Sequence, residues 1–153
     1  MFENYDIVEI KYKKLNTYAK EPTHGSDAAA GYDLYSLESR GVITIQPHTT
    51  TIIETGIAIE LPEGTFGAIF ARSGLATQQG LRPANCVGVI DSDYRGEIKI
   101  ALHNDTNSIK TIAGGDRIAQ LVVLPYLPIK FKEVDELTET ERGSGGFGST
   151  GNN

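Results

Sequence analysis

The sequence predicts an all-β domain, and three observations carry that expectation. Apolar residues recur with a period of two in short runs, not with the 3.6-residue period of a helix. Gly, Pro, Asn and Asp bound each run at the spacing of a sandwich or barrel. No strand–helix–strand unit of about 30 residues is present, and GxxxxGK[ST] is absent, which argues against Rossmann and P-loop folds.

The β-rich segments are GVITIQP (41–47), TTIIET (50–55), GIAIELP (56–62), FGAIFA (66–71), GEIKIAL (96–102) and RIAQLVVL (117–124). In GEIKIALHN, Ile98, Ile100 and Leu102 share one face, and Glu97, Lys99 and Ala101 share the other. Turns are expected at LPEG (61–64), DSDYRG (91–96), HNDTNS (103–108) and AGGD (113–116). His48, after Pro47 and before a Thr run, reads as a turn residue. One short helix is expected, with Ser73 as its cap, Leu75–Gln79 as its body and Gly80 as its stop. The chain changes character after Thr140. This divides it into a β domain over 1–140 and a Gly-rich arm over 141–153.

Composition narrows the function classes. Fourteen Lys plus Arg against 20 Asp plus Glu give a formal charge of −6, with no basic block. Nucleic acid and anionic membranes call for a concentrated cationic face, so neither is an expected partner. A small anion held by a few local donors and a metal ion stays compatible. No run approaches the ~20 apolar residues that span a bilayer, and the N-terminus lacks a signal-peptide pattern. An intracellular location is expected, cytoplasmic in a bacterium. Cys86 is the single cysteine, which excludes an internal disulfide and suits a reducing compartment. Its small, mostly apolar neighbours (83–89) suggest a buried structural thiol. His24, His48 and His103 show no metal-ligand spacing.

Five short blocks carry chemistry: AAGYDLYS (29–36), ARSGLA (71–76), GVIDSDYRGE (88–97), GDRIAQL (115–121) and RGSGGFGSTG (142–151). In the second, a helix start offers free backbone N–H groups for phosphate, Arg72 adds a permanently charged donor fork, and Gly74 permits close backbone approach. Asp91 and Asp93 flank a turn, where Asp is common for purely structural reasons. Asp33 lies between two tyrosines, and Gln120 on an apolar strand can be a satisfied core or interface amide. The last block is half glycine, with a single Arg and a single Phe, and by composition alone would be a linker or disordered end. Its glycines can also form anion-binding nests.

In this order and spacing the five blocks closely resemble those of the trimeric deoxyuridine triphosphatase (dUTPase) family. They cover about a third of the residues but stretch along nearly the whole chain. The resemblance implies a jelly-roll-like β-barrel or sandwich, assembled as a homotrimer whose active sites draw blocks from more than one subunit. It implies hydrolysis of dUTP to dUMP and pyrophosphate by water attack on the α-phosphorus. That reaction limits uracil incorporation into DNA and supplies dUMP for dTMP synthesis.

Residue roles follow from the same resemblance. Asp91 would position and deprotonate the water, and an ionised carboxylate within hydrogen-bond reach is a competent base. Asp93 would shape the turn. Tyr94 would pack on the deoxyribose and leave no room for a 2′-hydroxyl. Residues 85–90 would form a uracil-reading hairpin, with Asn85 and Gly88 contacting the base. Arg72, Ser73, Gly74 and Gln120 would bind the triphosphate. Asp33 would hold a water of Mg²⁺, an ion that keeps several waters and takes other ligands from substrate phosphates. Asp116 and Arg117 would form a structural pair, a turn or a subunit contact. In the arm, Arg142, Ser149 and Thr150 would clamp the γ-phosphate, Gly148 would lend backbone, and Phe147 would stack on uracil.

Two rival functions fit the blocks less well. A dCTP deaminase on the same fold needs an acid/base carboxylate at the base end and a different ARSGLA block, and no such Glu is found. A binding-only relative is disfavoured because every catalytic position holds a suitable residue.

Overall fold

The computed structural model describes residues 7–146. Its regular elements are β1 (Lys11–Lys14), β2 (Tyr32–Tyr35), a 3-10 turn (Glu38–Arg40), β3 (Val42–Ile45), β4 (Thr50–Glu54), β5 (Ile57–Glu60) and β6 (Thr65–Phe70). Then come α1 (Ser73–Gln79), β7 (Leu81–Pro83), β8 (Gly88–Ile90), β9 (Lys99–Asn104), β10 (Lys110–Ala113) and β11 (Arg117–Pro125). The all-β class is therefore found, and all six expected β-rich segments hold strands. The short strands β1, β2, β7, β8 and β10 were not among the six segments.

The strands form a four-stranded sheet ordered β2-β11-β6-β8, a three-stranded sheet β4-β9-β7, and the pairs β1-β5 and β10-β3. Every strand pairing is antiparallel. One core runs between them. Ile98, Ile100 and Leu102 are all buried, as the alternation in GEIKIALHN predicts, and they meet Leu34, Ile53, Leu81 and Ile118. Each such side chain contributes about 2 kcal/mol through removal from water, and that gain selects one register over its one-residue slip. Leu75, the buried residue of α1, fastens the helix to the same core.

Three local details correct the sequence reading, and two agree with it. The residue capping α1 is Arg72, in extended conformation, and Ser73 is the first helical residue with no side-chain cap. The Ser73 carbonyl instead accepts from Thr77 Oγ1 at 2.7 Å. Gly80 ends the helix at φ 66°, as expected, and His48 is a turn residue at φ 54°. Cys86 is exposed, with φ 62°, so it is not a buried thiol. It lies between β7 and β8 on a segment that neither sheet covers, a placement its apolar neighbours along the chain do not reveal. Finally, residues 85–90 do not form the expected hairpin. β7 belongs to the β9 sheet and β8 to the β6 sheet, so 84–87 crosses from one sheet to the other and 91–98 crosses back.

Among the described residues, no helix is long and apolar enough to cross a membrane. Beyond β11 the chain runs on without regular structure, and Leu127, Ile129, Phe131 and Leu137 are between 74% and 91% exposed.

One ion cluster links the sheet to the 3-10 turn. Glu54 at the end of β4 accepts from Arg40 Nε at 2.7 Å and also from Arg40 Nη2, while Lys99, its cross-strand partner, lies 3.6 Å away. The bond from Arg40, then the charges of Arg40 and Lys99, hold the Glu54 carboxyl below its ordinary value of 4.5. A folded-state pKa below the unfolded one stabilises the fold above that ordinary value, and the contribution disappears as pH falls through the lowered value. Wild type should therefore melt above Glu54→Gln near neutrality, with the gap closing as pH drops through the carboxylate range. A gap that stays constant to the acid end would remove the ion pair as its cause.

Candidate active site

The block residues gather into two clefts on opposite ends of one strand. At the far end of β6, antiparallel pairing places Asp33 of β2 opposite Gln120 of β11, and Gln120 opposite Phe70 of β6. The chain leaves β6 through Ala71 into Arg72, Ser73 and Gly74. These residues, with Arg117, line a cleft of about 470 Å³. Ser73 and Gly74 are exposed at its rim. Gln120 is half-buried and donates from Nε2 to the Ala71 carbonyl at 2.8 Å, which ties β11 to the turn before the helix.

Asp33 organises this cleft. Its side chain is only 14% exposed, and each oxygen takes a different guanidinium: Oδ1 accepts from Arg72 Nε at 2.8 Å, Oδ2 from Arg117 Nη1 at 3.3 Å. One carboxylate against two permanent cations leaves the cleft with excess positive charge on its polar wall. Among the described residues, Arg72 makes no hydrogen bond through its Nη groups, so the wider half of its fork can face an anion.

Arg117 is the site residue that sequence reasoning undervalued. It begins β11 opposite Tyr35, and the register shifts between Arg117 and Ala119. The irregularity brings the guanidinium to Asp33, 84 residues earlier in the chain. Only strand pairing carries that information. Asp116 stays structural, its carboxylate accepting from the Ala113 amide at 2.8 Å.

The second cleft surrounds Asp91. Ile90 pairs with Gly67, so the exposed Asp91 lies level with Phe66, at the other end of β6. Its carbonyl accepts from the Tyr94 amide at 3.1 Å and closes a four-residue turn. The Tyr94 ring, 44% exposed, is fixed by its hydroxyl, which donates to the Glu97 carbonyl at 3.0 Å. It lies across Gly96, where a Cβ would stand 2.5 Å from the ring's Cζ, so any other residue there would displace the ring. Asp91, Val89 and Tyr94 line a cleft of about 220 Å³.

Asn85 is exposed on the crossover loop, and Gly88 is buried where β8 begins. A Cβ on Gly88 would come within 3.1 Å of Ile69 and 3.2 Å of Asn85 Nδ2, so glycine lets the loop close onto β6. Arg142 donates to the Gly145 carbonyl at 2.9 Å within a local turn. Phe147, Gly148, Ser149 and Thr150 lie outside the described residues.

Within one chain the two clefts share no lining residue. Four residues of β6 separate their levels, about 13 Å of extended strand, before the lateral offset of β8 is added. A carboxylate acting as base must stand within about 3 Å of the group it deprotonates, far less than this separation.

An all-β protein with a cationic cleft and a carboxylate-and-aromatic cleft on one antiparallel scaffold has the donors and the stacking surface that suit a phosphorylated small molecule. A family model described as dUTPase matches residues 17–151. The deoxyuridine 5′-triphosphate nucleotidohydrolase of Desulfitobacterium hafniense is 50% identical over 146 residues, covering 94% of this chain and 95% of that protein. Among solved structures, the Staphylococcus bacteriophage 80alpha dUTPase with dUPNHPP aligns with a TM-score of 0.84 and 30% identity, over 94% of this chain and 98% of that one. A variant dUTPase of phage phi11 of S. aureus, described as coordinating a structural Mg(II) ion, aligns with a TM-score of 0.77 and 25% identity, over 86% and 100%. The chain belongs to the dUTPase family.

Proposed function

We propose that the protein hydrolyses dUTP to dUMP and pyrophosphate, at sites completed by more than one copy of the chain. The observation that carries this reading is the placement of the two clefts. Each holds half of what the reaction needs, on a chain whose family membership extends over both.

In the cationic cleft, Arg72, Ser73, Gly74 and Gln120 take the triphosphate. The charge-assisted fork of Arg72 and the second N–H of the Gln120 amide supply donors. In the other cleft, the Tyr94 ring carries the deoxyribose and excludes a 2′-hydroxyl, while Asn85 and the backbone at Gly88 read uracil. A strand backbone has donors and acceptors of fixed direction. A cytosine amino group would leave buried partners unmet, a penalty that can reach 10⁴-fold or more. Asp91 takes a proton from water as the water oxygen bonds to the α-phosphorus. The bond from that phosphorus to the bridging oxygen breaks, and pyrophosphate leaves with the electron pair.

The donor set fits Mg²⁺ arriving with the nucleotide. Among the described residues no cluster of three or more His, Cys, Asp or Glu could cage a cation. Asp33 has both oxygens engaged by arginines, yet a carboxylate offers about four lone-pair sites and can still accept from a metal-bound water. Bound there, the ion would neutralise phosphate charge and polarise the phosphoryl oxygen.

Assembly supplies the missing proximity. A homotrimer in which one copy brings Asp91 and Tyr94 to a neighbour's Asp33 and Arg72 makes each site whole. The exposed apolar side chains of residues 127–137 are supporting evidence, because a solvated segment gains nothing from Leu127, Ile129 and Phe131. The arm over 141–153 closes the site, with Arg142, Ser149 and Thr150 on the γ-phosphate and Phe147 on the base. Truncation after Glu141 should leave the thermal midpoint within a few degrees and reduce kcat by about 10²-fold or more. A collapse in stability would make the arm structural.

The test of the function is product analysis with dUTP, dTTP, UTP and dCTP in the presence of magnesium. Pyrophosphate should appear with dUTP and be strongly reduced with the other three. Ammonia from dCTP would reassign the site to a deaminase, and no turnover at all would leave a binding protein.

A further inference from the structure

The loop proposed to read uracil is weakly held by the sheets on either side. Residues 84–87 cross between sheets, so no ladder of paired strands supports them. The residue entering the loop is Pro83, which has no N–H to give to β9. Ala84 to Val87 are all exposed, and Cys86 sits at a left-handed φ of 62° that costs a non-glycine residue about 1 kcal/mol or more. Three backbone bonds remain: Ala84 N–H to the Ala101 carbonyl, Cys86 N–H to that of Pro83, and Val87 N–H to that of Asn85.

One side chain braces this loop from outside. Arg82 of β7 forks onto Asp105, just past the end of β9, with Nε to Oδ2 at 2.7 Å and Nη2 to Oδ1 at 3.0 Å. Its remaining nitrogen, Nη1, turns the other way and donates to the Pro83 carbonyl at 3.3 Å, with Cys86 Sγ at 3.8 Å. The Pro83 carbonyl is the same one that accepts from Cys86, so the guanidinium bears directly on the bond closing the turn. Asp105 holds the guanidinium's charge and its bonds raise the Arg82 pKa further, while His103 stands 3.5 Å from the same carboxylate.

We propose that Arg82 and Asp105 form a brace that sets the conformation of the 84–87 loop, making Arg82 a positioning residue for uracil selection. The inference rests on Asn85 and Gly88 reading the base. Lysine cannot replace it, because an ammonium lacks the planar fork that spans Asp105 and Pro83 at once. The pair is exposed, at 37% and 43%, so it adds little to global stability. Its effect falls on the local order of the loop.

The experiment compares wild type with Arg82→Ala, Arg82→Lys and Arg82→Ala/Asp105→Ala. Each is assayed for kcat and KM with dUTP and with dTTP, beside the thermal midpoint. Arg82→Ala should raise KM for dUTP about tenfold and narrow the preference for dUTP over dTTP by a similar factor, with kcat changed much less. Arg82→Lys should recover only a small part of that loss. The double variant should be no worse than Arg82→Ala, since the two residues act as one unit. Unchanged KM and preference in a folded Arg82→Ala protein would overturn the proposal, as would complete rescue by lysine. A wild-type enzyme inactive on dUTP would instead overturn the function itself, so the two failures are distinguishable.

Discussion

Asp91→Asn is expected to bind nucleotide normally and lose about 10³-fold or more in kcat. An amide matches the carboxylate in shape and still accepts one hydrogen bond, but it cannot take a proton at neutral pH. Asp91 is exposed and makes no side-chain hydrogen bond among the described residues, so the substitution removes no contact that supports the fold. Its own contribution to the turn is made through the backbone carbonyl, which the substitution leaves alone. The thermal midpoint should therefore stay put while turnover vanishes. Binding is read by titrating the variant with a non-hydrolysable dUTP analogue, and chemistry by a single-turnover assay. Near-wild-type turnover would exclude Asp91 as the base.

Mixing two inactive variants should restore activity. Arg72→Ala damages the cationic cleft, and Asp91→Asn damages the catalytic one. If each site takes Arg72 from one copy and Asp91 from another, a co-assembled population contains sites with both residues intact. Random assortment of an equal mixture gives about a quarter of the sites. The expectation rests on the separation of the clefts, which lie about 13 Å apart along β6 before the offset of β8 is counted. Subunits unfolded together, refolded and confirmed as hybrids by native mass spectrometry should show activity well above either parent. Verified hybrids without recovery would place both residues in one chain's site and dismantle the shared-site reading. Arg72→Ala also frees one oxygen of Asp33, although Arg117 keeps the carboxylate paired and limits the structural cost.

The strand segments were legible because burial on one face of a pleated strand enforces a period of two, which the alternation in GEIKIALHN displays directly. Gly80 and His48 were legible because helix ends and turns place local demands on backbone angles. The hairpin over 85–90 was misread because sequence adjacency favours pairing of neighbouring strands, whereas β7 and β8 find their partners in different sheets. The cap on α1 was misplaced by one residue, since Arg72 occupies the extended position that Ser would ordinarily favour. Cys86 was misread for a related reason: composition reports neighbours along the chain, and its exposure follows from its place on the segment that crosses between sheets.

By itself the sequence determined the all-β class, the single short helix, the five blocks and their order, and through them the family to which the chain belongs. These are local or linear properties, written in periodicity, turn chemistry and spacing. Only the tertiary structure decided that Asp33 is held between Arg72 and Arg117, that Arg82 reaches both Asp105 and the Pro83 carbonyl, and that Asp91 stands at the opposite end of β6 from Arg72. Each of those facts depends on which strands pair and in what register. Pairing is settled by burial of the whole core, and no short stretch of sequence contains it.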